Sequence, residues 1–302
     1  MSTSWLGQAE RGSEKLLNFY VWLSLRTGRG FARALLYPIA FYFVVFSRRA
    51  HKASHEYLTR ALGRRANWFD IFRHYLTFST TIHDRVYFLT NGFNRFRIDV
   101  HGSEVFRELV AERRGCLLLG SHFGSFEVAR VLGVREQSLP IKVLNFPENS
   151  KRINAVWGKL NPELMSLFID LGTPTAMLEV AEHIRGGGMV GILGDRTVQA
   201  GKQITIDFLG APALFPLGPM QLAVILKVPV VLFFGIYRGS NHYDVYFEKL
   251  TERVGGGWRG GGEMDMEQAI AAYAKRLEHF CRDAPYNWFN FYDFWGDADN
   301  AP

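Results

Sequence analysis

From residue 96 onward this chain alternates short apolar runs with amphipathic stretches, and that alternation limits its fold more than any other feature. Cys116-Leu117-Leu118-Leu119 and Met189-Val190-Gly191-Ile192-Leu193 are continuous apolar runs of strand length. A strand can be apolar on both sides only where both faces of its sheet are covered. Residues 96–100, 141–145 and 228–237 read as further strands, and 243–247 as the hairpin partner of the last. Helical spacing appears at 103–114, 125–132, 155–167, 175–184, 217–226 and 266–281. The pattern predicts an α/β domain over residues 93–302, with a mixed, mainly parallel sheet flanked by helices. Residues 1–92 read as a helical segment, with amphipathic stretches at 54–62 and 68–89.

Charge is unevenly placed. The net charge is +6, yet residues 1–65 hold 11 Lys/Arg against 3 Asp/Glu, which leaves the rest slightly acidic. The basic segment surrounds an apolar run at 31–46 (FARALLYPIAFYFVVF), with Arg26, Arg29 and Arg33 at its start and Arg48, Arg49 and Lys52 after it. Sixteen residues fall short of the roughly 20 that span a bilayer. Positive charge on both sides fits a helix lying in, or dipping into, an anionic leaflet. A buried helix of the folded domain is the alternative. The late start of the run argues against a signal peptide, and its Phe/Tyr/Val-rich centre argues against a nucleic-acid arm. Aromatic residues make up 15% of the chain, an excess that suits a lipid-facing surface or a dense core. The two cysteines, Cys116 and Cys281, make no disulfide framework or metal cluster, and they favour a reducing compartment.

The chemistry-bearing motif is Gly120-Ser121-His122-Phe123-Gly124-Ser125-Phe126-Glu127. A neutral imidazole can take a proton from a hydroxyl near pH 7, and a carboxylate within reach fixes its tautomer. His122 and Glu127 supply a base and its orienter without a protein nucleophile, which suits transfer of a group onto a substrate hydroxyl. The same spacing recurs at His51 and Glu56, in a basic helix-like stretch where a solvated face is the simpler reading. His122 instead follows a strand and precedes a helix, where open α/β sheets place their sites. The alternative is a histidine capping the turn, with Glu127 favouring a helix N-terminus.

A second cluster, Gly194-Asp195-Arg196-Thr197, leaves the strand run at 189–193. Arg196 could clamp a phosphate or polarise a carbonyl, and Asp195 could orient that arginine or bind the acceptor. An ordinary surface pair is the alternative. Residues 208–218 (FLGAPALFPLG) read as an apolar loop entering a helix, either bordering an acyl tunnel or simply packed. Residues 288–295 (WFNFYDFW) read either as a membrane contact or as a lid on the core. No dinucleotide, P-loop, nucleophile-elbow or paired-cysteine metal motif is present, so nothing calls for a nucleotide, metal or covalent-serine mechanism.

Taken together, these residues resemble the lysophospholipid acyltransferase superfamily, in the branch that contains the late acyltransferases of lipid A biosynthesis. The resemblance covers nearly the whole chain. It rests on His122-x4-Glu127, on Gly194-Asp195-Arg196 where the branch has Asp-Gln, on the Phe208 to Gly218 run, on Lys227-Val228-Pro229-Val230, and on the Trp-rich C-terminal stretch. Trp5, Glu10, Arg11 and Gly12 ahead of Tyr37-Pro38 resemble a bacterial subgroup linked to unusual acylated lipids or aryl polyene pigments.

The resemblance implies a glycerol-3-phosphate acyltransferase-like fold and direct acyl transfer, with no cofactor beyond the donor. An acyl carrier protein or coenzyme A thioester would donate to a lipid-like acceptor at the cytoplasmic face of a bacterial inner membrane. His122 and Glu127 would be catalytic. Backbone N–H groups near Gly124, with Arg196, would hold the oxyanion, and Gly124, Ser125, Asp195, Arg196, Lys151 and Arg152 would bind substrate. A non-catalytic lipid-binding scaffold and a thioester hydrolase are the alternatives.

Overall fold

The computed structural model describes residues 14–90, 92–128, 141–145, 151–196, 201–255 and 264–296. Five helices come first: α1 (Glu14–Thr27), α2 (Arg29–Ala34), α3 (Leu36–Phe46), α4 (Arg48–Leu62) and α5 (Trp68–Leu89). Gly63, at φ +63°, stops α4 in the left-handed conformation that glycine adopts without penalty. Asn67 and Asp70 then start α5 with a reciprocal capping box: Asp70 N–H donates to Asn67 Oδ1 at 3.0 Å and Asn67 N–H to Asp70 Oδ2 at 2.8 Å.

The chain then builds a seven-stranded sheet. Its strands are β1 (Arg97–His101), β2 (Cys116–Gly120), β3 (Ile141–Asn145), β4 (Phe168–Asp170), β5 (Met189–Leu193), β8 (Val230–Gly239) and β9 (His242–Thr251). Outside this sheet, β6 (Gln203–Phe208) and β7 (Ala211–Pro216) form a separate hairpin, and Val254–Gly255 pairs with Met264–Asp265. The sheet order is β1-β9-β8-β2-β5-β3-β4, and only β8–β9 pairs antiparallel. This is the mixed, mainly parallel sheet the alternation predicts.

The two faces of the sheet are covered by two distinct cores. Leu117 and Leu119 enter one, Cys116 and Leu118 the other. The period-two alternation of a strand thus explains why all of β2 is buried and apolar. α5 contributes to both: Ile71 and Tyr75 pack in the first core, Val86 to Leu89 in the second. Its middle therefore passes the end of the sheet.

Two expectations are corrected. The 208–218 segment is not a loop, because Phe208 and Ala211–Pro216 belong to the β6–β7 hairpin. The helical stretch at 155–167 breaks sooner than its spacing suggests: helices occupy Lys151–Leu160 and Pro162–Met165, and β4 follows. The aromatic stretch at 288–295 lies on the core rather than against lipid. Trp288, Phe289, Phe294 and Trp295 are all buried.

Candidate active site

β2 and β5 are neighbours in parallel register, with Gly120 opposite Leu193. Their C-terminal ends coincide, and the two turns leaving them meet. Gly194 N–H donates to Gly120 O at 3.0 Å, which brings Asp195 beneath the turn that carries His122.

The resulting contact is tight. His122 Nδ1 lies 2.8 Å from Asp195 Oδ1, and His122 N–H donates to Asp195 Oδ2 at 3.0 Å. A carboxylate only accepts, so Nδ1 carries the proton and the lone pair sits on Nε2. Trp288 Nε1–H adds a third donor to the carboxylate, at 2.9 Å on Oδ2. Asp195 is wholly buried, while the His122 side chain keeps 31% of its surface open. The imidazole thus has one face fixed from behind and one able to meet a substrate.

Electrostatics favour the neutral base. Burial, the positive charge of Arg196 and, more weakly, that of Arg85 lower the His122 pKa below its usual 6.5; Asp195 opposes them without prevailing. Burial alone would raise the Asp195 carboxyl. Contact with His122, the charge of Arg196 and the Trp288 N–H outweigh it and hold the group well below the usual carboxylate range. Asp195 is therefore an anion at neutral pH.

The structure distributes the expected site residues differently from the sequence reading. Asp195, rather than Glu127, occupies Nδ1 and fixes the tautomer. Glu127 is buried near the start of the following helix, with Oε1 3.7 Å from Nε of Arg85 on α5. Asp195 does not face outward: its carboxylate is buried against His122 and Trp288, with the charge of Arg196 acting on it. Arg196 donates to the Phe289 carbonyl and lies 5.2 Å over the Tyr292 ring. Lys151 and Arg152 open the helix Lys151–Leu160, but their side chains lie outside the described residues. The His51–Glu56 copy is no pair: His51 Nδ1 is 3.1 Å from Val44 O, and Glu56 binds Arg60.

Of the backbone N–H groups expected near Gly124 to hold an oxyanion, those of residues 124 and 125 already have partners. Gly124 N–H donates to Asn287 O and Ser125 N–H to Gly235 O, both at 2.8 Å. These donors are consumed within the protein. What demands glycine at 124 is close approach: its φ is +58°, and a Cβ there would lie 1.8 Å from Gly235 O. Gly124→Ala should therefore cost about 2–4 kcal/mol, through left-handed strain and a backbone clash. Urea unfolding followed by circular dichroism measures it, and a change under 1 kcal/mol would sink this account of the turn.

The segment 285–291 straps the site from above. Phe289 N–H donates to His122 O at 2.8 Å, and Asn287 pairs with both backbone groups of Tyr237 on β8. His74 on α5 lies between Ser54 Oγ (2.7 Å) and Trp288 O (2.8 Å). A carbonyl only accepts, so His74 Nε2 carries the hydrogen and Nδ1 accepts from Ser54. Trp288 and Arg85 are the participants that sequence reasoning missed. Trp288 was legible only as one of many aromatics, and nothing marks Arg85 within a helix of mixed polarity.

No covalent route through cysteine is open. Burial pushes the Cys116 thiol up to about 12 and raises Cys281 well above its usual value. Among the described residues, no serine or cysteine side chain hydrogen-bonds to His122. A base with a fixed tautomer and no protein nucleophile suits direct transfer onto an acceptor hydroxyl.

Comparison with curated proteins returns no match. The family model for bacterial lipid A biosynthesis acyltransferase, in contrast, matches residues 16–296, which include every element of this site. The chain therefore belongs to the bacterial lipid A biosynthesis acyltransferase family.

Proposed function

We propose that the protein moves a fatty acyl group from a thioester, carried on an acyl carrier protein or coenzyme A, to a hydroxyl or amine of a lipid-like acceptor at a membrane surface. The observation that carries this reading is the fixed tautomer of His122: Asp195 holds Nδ1–H, and Nε2 is left as the base. Nε2 takes the acceptor's proton while the acceptor oxygen or nitrogen forms a bond to the thioester carbonyl. The tetrahedral centre collapses, the C–S bond breaks, and the imidazolium returns the proton to the departing thiolate. Arg196, whose charge already acts on His122, supplies positive potential for the developing oxyanion. Glu127 keeps Arg85 paired, and so limits how far that cation depresses the base.

Product analysis tests the assignment. Purified protein given an acyl thioester and bacterial lipid extract should yield acylated lipid by mass spectrometry. Lipids from a strain lacking the protein should lose the corresponding acylated species. Free fatty acid as the sole product would replace transfer by hydrolysis; no turnover of any thioester would favour a scaffold.

A further inference from the structure

Helices α2 and α3, together Arg29–Phe46, are apolar enough to cross a membrane by composition, with a mean hydropathy of 1.3. Their packing says otherwise. Ala32, Leu36, Ala40 and Val44, spaced by four, form a buried seam against the domain. The opposite side is open: Phe31, Tyr37, Phe41, Tyr42 and Phe46 are each more than half exposed. α1 and the start of α5 extend this face with Phe19, Trp22 and Phe69, also more than half exposed. So large an aromatic surface needs an occupant.

Both ends of the helical stretch are tied to the domain. Arg29 grips the fully buried Asp84 through two bonds of 2.7 and 2.8 Å, and both Arg29 and Arg33 donate to Ser240 O. At the far end His51 Nδ1 approaches Val44 O. Standing the helix across a bilayer would strip Asp84 of its partner inside the protein, and would expose the small-residue seam to lipid. At 1.5 Å per residue its 18 residues also reach only about 27 Å, against a hydrocarbon core of about 30 Å.

Exposed Arg26 precedes the stretch, and exposed Arg48, Arg49 and Lys52 follow it. None has a carboxylate partner among the described residues. We infer that this face docks in the plane of an anionic phospholipid surface, its aromatic side chains sunk to headgroup depth, and that Arg29–Phe46 does not cross the membrane. The inference rests on the membrane-surface reading above and gives that reading a geometry.

The test uses the full chain and vesicles of phosphatidylglycerol and phosphatidylethanolamine. Both native cysteines are buried, so a single cysteine at Phe31, Ile39 or Phe46 takes a fluorophore alone. Depth-dependent quenching should place all three labels at one shallow depth. Reversing Arg48, Arg49 and Lys52 to Glu should weaken vesicle binding roughly 10²-fold or more, with acyl transfer to a detergent-dispersed acceptor retained. Labels at 31 and 46 in opposite leaflets, with 39 at the midplane, would overturn the in-plane geometry and leave the membrane reading standing. Equal binding to wholly zwitterionic vesicles would overturn the anionic surface. Failure to bind vesicles, with self-association through this face instead, would overturn both readings.

Discussion

His122→Ala should abolish acyl transfer and leave the fold intact. General-base catalysis contributes on the order of 10²–10⁴-fold, so the loss should be at least of that size. The fold should survive because the imidazole is partly exposed. Asp195 also retains two N–H donors, from the His122 backbone and Trp288. Matched thermal unfolding curves, with turnover measured on one thioester, check both halves. Wild-type turnover by the variant would remove His122 from the mechanism. The wild-type pH profile supplies a second reading. In the proposed mechanism the neutral imidazole is the working form, and its pKa is depressed. Activity should therefore be full at neutral pH and fall only as the pH drops below the usual histidine value of about 6.5. An acid limb above 6.5 would contradict the electrostatics described for the site.

Asp195→Asn should lose almost as much, for a geometric reason. Oδ2 accepts from two N–H groups, the His122 backbone and Trp288. An amide nitrogen placed there would face two donors, so the amide oxygen must take that position. The –NH₂ then points at Nδ1, which becomes the acceptor, and the proton moves to Nε2. The imidazole stays in place but no longer has a base where the substrate lies. Changing the carboxylate of a His–Asp pair to an amide costs about 10⁴-fold in a well-studied protease, and on the order of 10³–10⁴-fold is expected here. The loss should fall on kcat with KM little changed. Activity within tenfold of wild type would show that Asp195 does not set the tautomer.

Much of this was legible in the sequence, and the failures share one cause. β2 and β5 announced themselves because strands covered on both faces must be apolar throughout, as their buried residues confirm. His122 stood out because it follows such a strand. Its partner was misjudged because nearness in sequence was taken for nearness in space. Glu127 is five residues away, yet Asp195, 73 residues on, makes the bond. Only the adjacency of β2 and β5 decides that. Gly124 was misread likewise, since what requires a glycine there is the carbonyl of Gly235 on another strand. The β6–β7 hairpin hid behind Pro212 and Pro216, which disguise a strand as a loop. β4, at three residues, is too short for any periodicity to register.

The span of these contacts has a kinetic consequence. His122 meets Asp195 across 73 residues, and Asp195 meets Trp288 across 93. Closing loops of that length is slow, and it is rewarded only when the intervening sheet is already paired. Local helices such as α5 need no such closure. During refolding, helical signal should therefore recover well before turnover does. A partly assembled molecule can carry most of its secondary structure and still have a histidine with no fixed tautomer. Acyl-transfer activity should thus report completion of the whole topology, and a half-folded chain should be chemically silent.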